Sequence, residues 1–112
     1  MNRDDVMSIA AAIESMKPDF VSLSDSIWDF AELKFDEWRS SGLLAARLED
    51  NGFSVRRGIA GMDTAFIGEC GSGKPVIAFL GEFDALAGMS QAAGVAEAKP
   101  LVDGGKRPWL RP

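Results

Sequence analysis

Histidine is absent from all 112 residues, and cysteine occurs once, as Cys70. Without imidazole, and with a single thiol, the chain has few of the nitrogen and sulfur donors that zinc prefers. One cysteine excludes an internal disulfide and fits a reducing compartment, so a cytoplasmic location is the expectation. Long apolar runs are missing as well. The strongest, Val76-Ile77-Ala78-Phe79-Leu80, falls far short of the roughly 20 residues a bilayer requires, so no membrane partner is expected. The N-terminal stretch MNRDDVMSIAAAIESM puts two aspartates where a secretory signal would be basic, and its apolar residues are spaced rather than blocked. There is no excess of positive charge either. The formal charge of −5 argues against nucleic acid, whose binding draws mainly on clustered Lys and Arg.

What is present suits one globular domain. The length is typical of a single core, and 46% apolar with 26% charged residues is neither a disordered nor a membrane composition. Val6, Ile9, Ala10, Ile13 and Met16 recur at helical spacing, predicting a first helix over 4–16. Pro18 is expected to interrupt it and open a second helix buried along Phe20, Leu23, Ile27 and Phe30. A third is predicted from about Asp36, as N-cap, to Asp50, with Asn51-Gly52 as its stop. Beyond Gly52 the pattern turns to strands: alternation from Phe53 to Arg56, then 64–70, then 76–83, the last apolar enough to be central in a sheet. Residues 87–101 read as a loop with one short helical stretch. Helices followed by strands suit an α/β class, with helices packed on a partial mixed sheet.

One motif fails its own test. In GECGSGKP, residues 68–75, Gly68, Gly73 and Lys74 fit a phosphate-binding loop, but Pro75 lacks the hydroxyl that would meet magnesium. The loop must also open into a helix, and VIAFLGEF follows instead. A turn between neighbouring strands is the better reading, so no nucleotide is expected.

The informative stretch is GEFDALAG, residues 81–88. Glu82 and Asp84 lie one residue apart at the end of an apolar strand, so both would face the same side. Ligands of open α/β sheets bind beyond such strand ends, and carboxylates hold hard cations, or zinc with help from other donors. The plain alternative is that Asp84 caps a turn and Glu82 is solvated. Cys70 would sit at the opposite end of strand 76–83, roughly 25 Å away at ~3.3 Å per residue, too far to share an ion. As a free cysteine it reads most simply as a small apolar residue.

Two stretches carry a family resemblance, AELKFDEWRSSGLLAARLEDNGFSV and VIAFLGEFDALAGMSQ. From Ile27 to Val102 the chain resembles the start of the zinc-dependent amidohydrolases related to aminoacylase and glutamate carboxypeptidase, in their aminobenzoyl-glutamate utilisation branch. The resemblance implies the N-terminal portion of an α/β/α sandwich catalytic domain, spanning residues 1–105. It also implies, for intact members, two zinc or similar divalent ions activating a water that attacks an amide carbonyl, with a later glutamate as general base. Asp84 then matches the family's strand-end aspartate, which supports the metal centre. Glu82 stands where some branches have a ligand histidine and others an acid. No other catalytic residue carries over, and no complete metal site is expected in this chain. It is expected to bind no cofactor and to be inactive alone. The alternative function is a non-catalytic module docking on an intact homologue, and a homo-oligomer is a further partner considered.

The family's remaining ligands come from a run such as G-H-G-C-G-H-N, due where this chain reads GKRPWLRP. Lys106, Arg107 and Arg111 make this ending oddly basic for an acidic protein. A parental Gly-Asn-Gly-His-Gly-Cys-Gly-His-Asn gives a reason. One adenine inserted into its first Asn codon, with suitable wobble bases, makes it read Gly-Lys-Arg-Pro-Trp-Leu-Arg-Pro-stop. Residues 106–112 are therefore expected to be a frameshifted tail, against the simpler reading of a solvated basic segment that steers the chain to an acidic partner. Sequencing the locus tests this: the adjacent frame should encode a His- and Cys-rich peptide, and its absence would refute the idea.

Overall fold

The computed structural model describes residues 2–101. The 106–112 tail expectation lies outside the described residues.

Helix α1, Arg3–Phe30, starts at a reciprocal cap: the Asn2 side chain accepts from the Asp5 N–H, and the Asp5 carboxylate accepts from the Asn2 N–H, both at 2.9 Å. This satisfies two orphan donors and places negative charge at the positive end of the helix dipole. Pro18, expected to break the helix, lies inside it. The reason is in the phase of the apolar residues. Val6, Ile9, Ile13, Met16, Phe20, Leu23, Ile27 and Phe30 alternate at three and four residues without a slip across Pro18, so one continuous helix serves both halves. α1 ends at Ala31, whose left-handed φ of 48° turns the chain while its N–H donates to the Ile27 carbonyl.

Helix α2, Trp38–Asp50, begins one residue later than expected, with Glu37 rather than Asp36 at the cap position. Asp36 instead donates its N–H to the Leu33 carbonyl in the preceding turn. At its far end, Asn51 Nδ2 donates to the Arg47 carbonyl and Gly52, at φ 84°, makes the turn. The chain then forms strands β1, Ser54–Arg57, and β2, Phe66–Glu69, paired antiparallel with Val55 opposite Gly68. α2 lies close against this hairpin. A Cβ on Gly68 would stand 2.7 Å from Leu48 Cδ1, the end of a flexible side chain that would have to turn aside. Arg47 meets Asp19 at 3.2 Å on the α1 side, and Arg57 meets Glu49 at 2.9 Å on the β1 side.

The chain is thus mixed α/β, with two helices and one two-stranded sheet among the described residues. The sheet is antiparallel, not mixed, and the short helical stretch expected within 87–101 does not form. The larger correction concerns 76–83. This segment joins no ladder; Val76, Ile77, Phe79 and Leu80 are 85%, 74%, 96% and 99% exposed. Apolar, β-branched sequence favours a strand only where neighbours supply backbone partners and cover, and no described strand pairs with it. The core is correspondingly small. Ala31 and Ala45 are its buried apolar residues among the described residues, and the Cα radius of gyration is 17.2 Å, against about 13 Å for a compact chain of this length. No helix is long and apolar enough to cross a membrane among the described residues.

Candidate acidic site

The segment carrying Glu82 and Asp84 is fixed at two points although it belongs to no strand. The Phe83 ring stacks on Phe66 of β2, centroids 5.9 Å apart and planes inclined by 30°. Two residues on, the Ala85 N–H donates to the Glu32 carbonyl at 2.8 Å, and Ala85 forms a parallel bridge with Leu33. Phe83 and Ala85 are half-buried while Glu82 and Asp84 are exposed.

Behind this segment is a polar cluster that the sequence pattern does not single out. Glu32 lies between the helices and takes three hydrogen bonds on its carboxylate: from the Arg39 N–H at 2.9 Å, the Ser40 N–H at 2.8 Å and the Ser40 hydroxyl at 2.7 Å. It supplies the N-terminal cap that Glu37, at the cap position, does not make. Desolvation pushes the Glu32 carboxyl upward, but the Ser40 and Arg39 backbone N–H groups, the Ser40 hydroxyl and the Arg39 charge together outweigh it. The carboxyl is held below its ordinary value. The Arg39 guanidinium in turn lies 3.9 Å from the centre of the Phe30 ring, a cation–π contact that ties the end of α1 to the start of α2. Glu37 is buried and accepts from the Thr64 hydroxyl at 2.7 Å, linking α2 to the approach to β2. A signal for these residues is available in the sequence. A carboxylate such as that of Glu32, a few residues before a helix, is suited to satisfy its first N–H groups, but Asp36 is the more conventional cap residue.

The donors present do not fit a two-metal centre. Among the described residues no three His, Cys, Asp or Glu side chains gather as a metal would require. Cys70 is exposed, not the small buried residue expected, and it joins no such group. Glu82 and Asp84 remain two carboxylates on one exposed segment. The phosphate-loop reading fails in three dimensions also, because no helix follows Pro75 among the described residues.

No family model matches the chain, and no solved structure matches it. Over 93 residues the chain is 46% identical to a p-aminobenzoyl-glutamate hydrolase subunit of Escherichia coli (strain K12), an overlap that covers 83% of this chain and 19% of that protein. The chain therefore spans about one fifth of the length of this curated relative. The likeness is thus to one part of a p-aminobenzoyl-glutamate hydrolase subunit.

Proposed function

We propose that the chain is a catalytically silent member of the metal-dependent amidohydrolases that cleave N-acyl or aminobenzoyl amino acids. Residues 1–105 correspond in this reading to part of an α/β/α sandwich catalytic domain, with α1 and α2 as helices of one layer and β1–β2 as a piece of its sheet. Glu82 and Asp84 mark the acidic edge of what would be the metal centre. The observation that carries the reading is the pairing of 46% identity over 93 residues with a sequence that contains no histidine. Two carboxylates without imidazole or thiolate partners do not hold a catalytic zinc pair. No hydrolytic step follows from these residues.

The test is to supply the purified chain with p-aminobenzoyl-glutamate and zinc, and to titrate zinc by calorimetry. The expected result is no p-aminobenzoate above the blank and no binding at micromolar concentration. Release of product, or micromolar zinc affinity, overturns it. A second reading, a non-catalytic module that docks on an intact homologue, is favoured by the near-complete exposure of Phe79 and Leu80, at 96% and 99%. It is supported if the chain co-sediments with a purified intact homologue, and rejected if the two sediment independently.

A further inference from the structure

We propose that Glu32 is the positioning residue of the acidic pair: its side chain is pinned to the first turn of α2 while its own carbonyl receives Ala85, so one residue sets where Glu82 and Asp84 stand. The inference rests on the reading above only in taking that pair as the site.

The argument is one of connectivity. Residues 76–83 have no ladder, so ordinary sheet pairing does not locate the acids. The stacking of Phe83 on Phe66 holds one point but leaves the segment free to pivot about it. The Ala85 N–H to Glu32 carbonyl bond, 2.8 Å, supplies the second point. Two points flanking Asp84, at positions 83 and 85, fix the direction of the backbone that bears it. The second point is only as firm as Glu32 itself, which lies in the irregular connection between α1 and α2. What immobilises that connection is the Glu32 carboxylate, through its bonds to the Arg39 and Ser40 N–H groups and the Ser40 hydroxyl. Charge-assisted bonds of this kind are about twice as strong as neutral ones. Ser40 is 1% exposed, so its hydroxyl has no water to turn to if the carboxylate leaves. Leu33 continues the contact through its bridge to Ala85. The carboxylate therefore acts on the acidic pair through its own main chain, without touching either acid.

Amide hydrogen exchange on the full 112-residue chain tests this, with Glu32→Gln and Ser40→Ala compared with the parent. Loss of charge in Glu32→Gln weakens three bonds at once, and Ala85 is expected to exchange at least about tenfold faster. Amides of the β1–β2 ladder should keep their rates, which a general loosening of the fold would not allow. Ser40→Ala removes one donor and leaves Glu32 intact, so Ala85 should accelerate by a smaller factor, again selectively. It also serves if Glu32→Gln does not fold. Unchanged Ala85 exchange in either variant overturns the proposal, as does acceleration in step with the ladder amides. Neither zinc nor turnover enters the measurement, so its outcome is independent of whether the chain is catalytically silent.

Discussion

Ala45→Asp is expected to abolish cooperative folding, whereas Ala46→Asp, one residue along the same helix, is not. Ala45 has 0% exposure and lies on α2, the helix that packs on both α1 and the β1–β2 hairpin. Ala46 is exposed. Both substitutions carry the same loss of helix propensity, a fraction of a kilocalorie, roughly 0.7 kcal/mol at most. They differ in what happens to the charge. At position 45 a carboxylate would have to be desolvated where a fully buried alanine now stands, a cost of about 3–5 kcal/mol by comparison with broken buried ion pairs. Small domains are stable by only about 5–15 kcal/mol, and this one has a small core to draw on. Urea titration of the two variants, each in the soluble Phe79→Lys/Leu80→Glu background introduced below, followed by far-ultraviolet circular dichroism, reads the difference. A sigmoidal transition for Ala46→Asp beside a featureless slope for Ala45→Asp is the expected pair. Equal midpoints would show that α2 does not pack as described.

The second large effect concerns association. Fully covering a Val, Ile, Leu or Phe side chain is worth about 1.5–3 kcal/mol each, so Val76, Ile77, Phe79 and Leu80 together represent about 6–12 kcal/mol of unrealised burial. An unpaired apolar segment of this kind is a template for other chains. The parent chain is expected to be poorly soluble and to lack a sharp, reversible thermal transition as a monodisperse species. Phe79→Lys combined with Leu80→Glu places opposite charges on side chains that are already almost wholly exposed, so the folded part should not notice. The soluble fraction after expression should rise by about tenfold, and sedimentation velocity should show one slow species. If the parent and the double variant sediment alike as monomers, the exposed run does not drive association.

These expectations divide along the line between local and long-range information. The α2–β1 junction is legible because its signals are local: an apolar stripe ending in Asn51-Gly52, then alternation from Phe53. β2 within 64–70 follows from the same kind of pattern, whereas the turn expected before Pro75 has no second strand to lead into. A break at Pro18 is a local inference that a longer-range one corrects, since the apolar phase runs unshifted from Val6 to Phe30. The start of α2 is displaced from Asp36, a favourable cap residue by type, because the capping carboxylate reaches over from Glu32 instead. Strand 76–83 fails for a different reason. Its residues state a preference, but a strand exists only with a neighbour to bond to.

The acidic pair shows the same division. Composition and spacing by themselves determined that Glu82 and Asp84 stand one residue apart and that the chain brings no imidazole to join them, since both follow from residue identity. Only the tertiary structure decided that Phe83 seats on Phe66, that Ala85 hangs from Glu32, and that Cys70 stands apart in solvent. The first two depend on residues 17 and 53 positions apart in the chain meeting in space, and no periodicity along a sequence encodes which distant partners will do so.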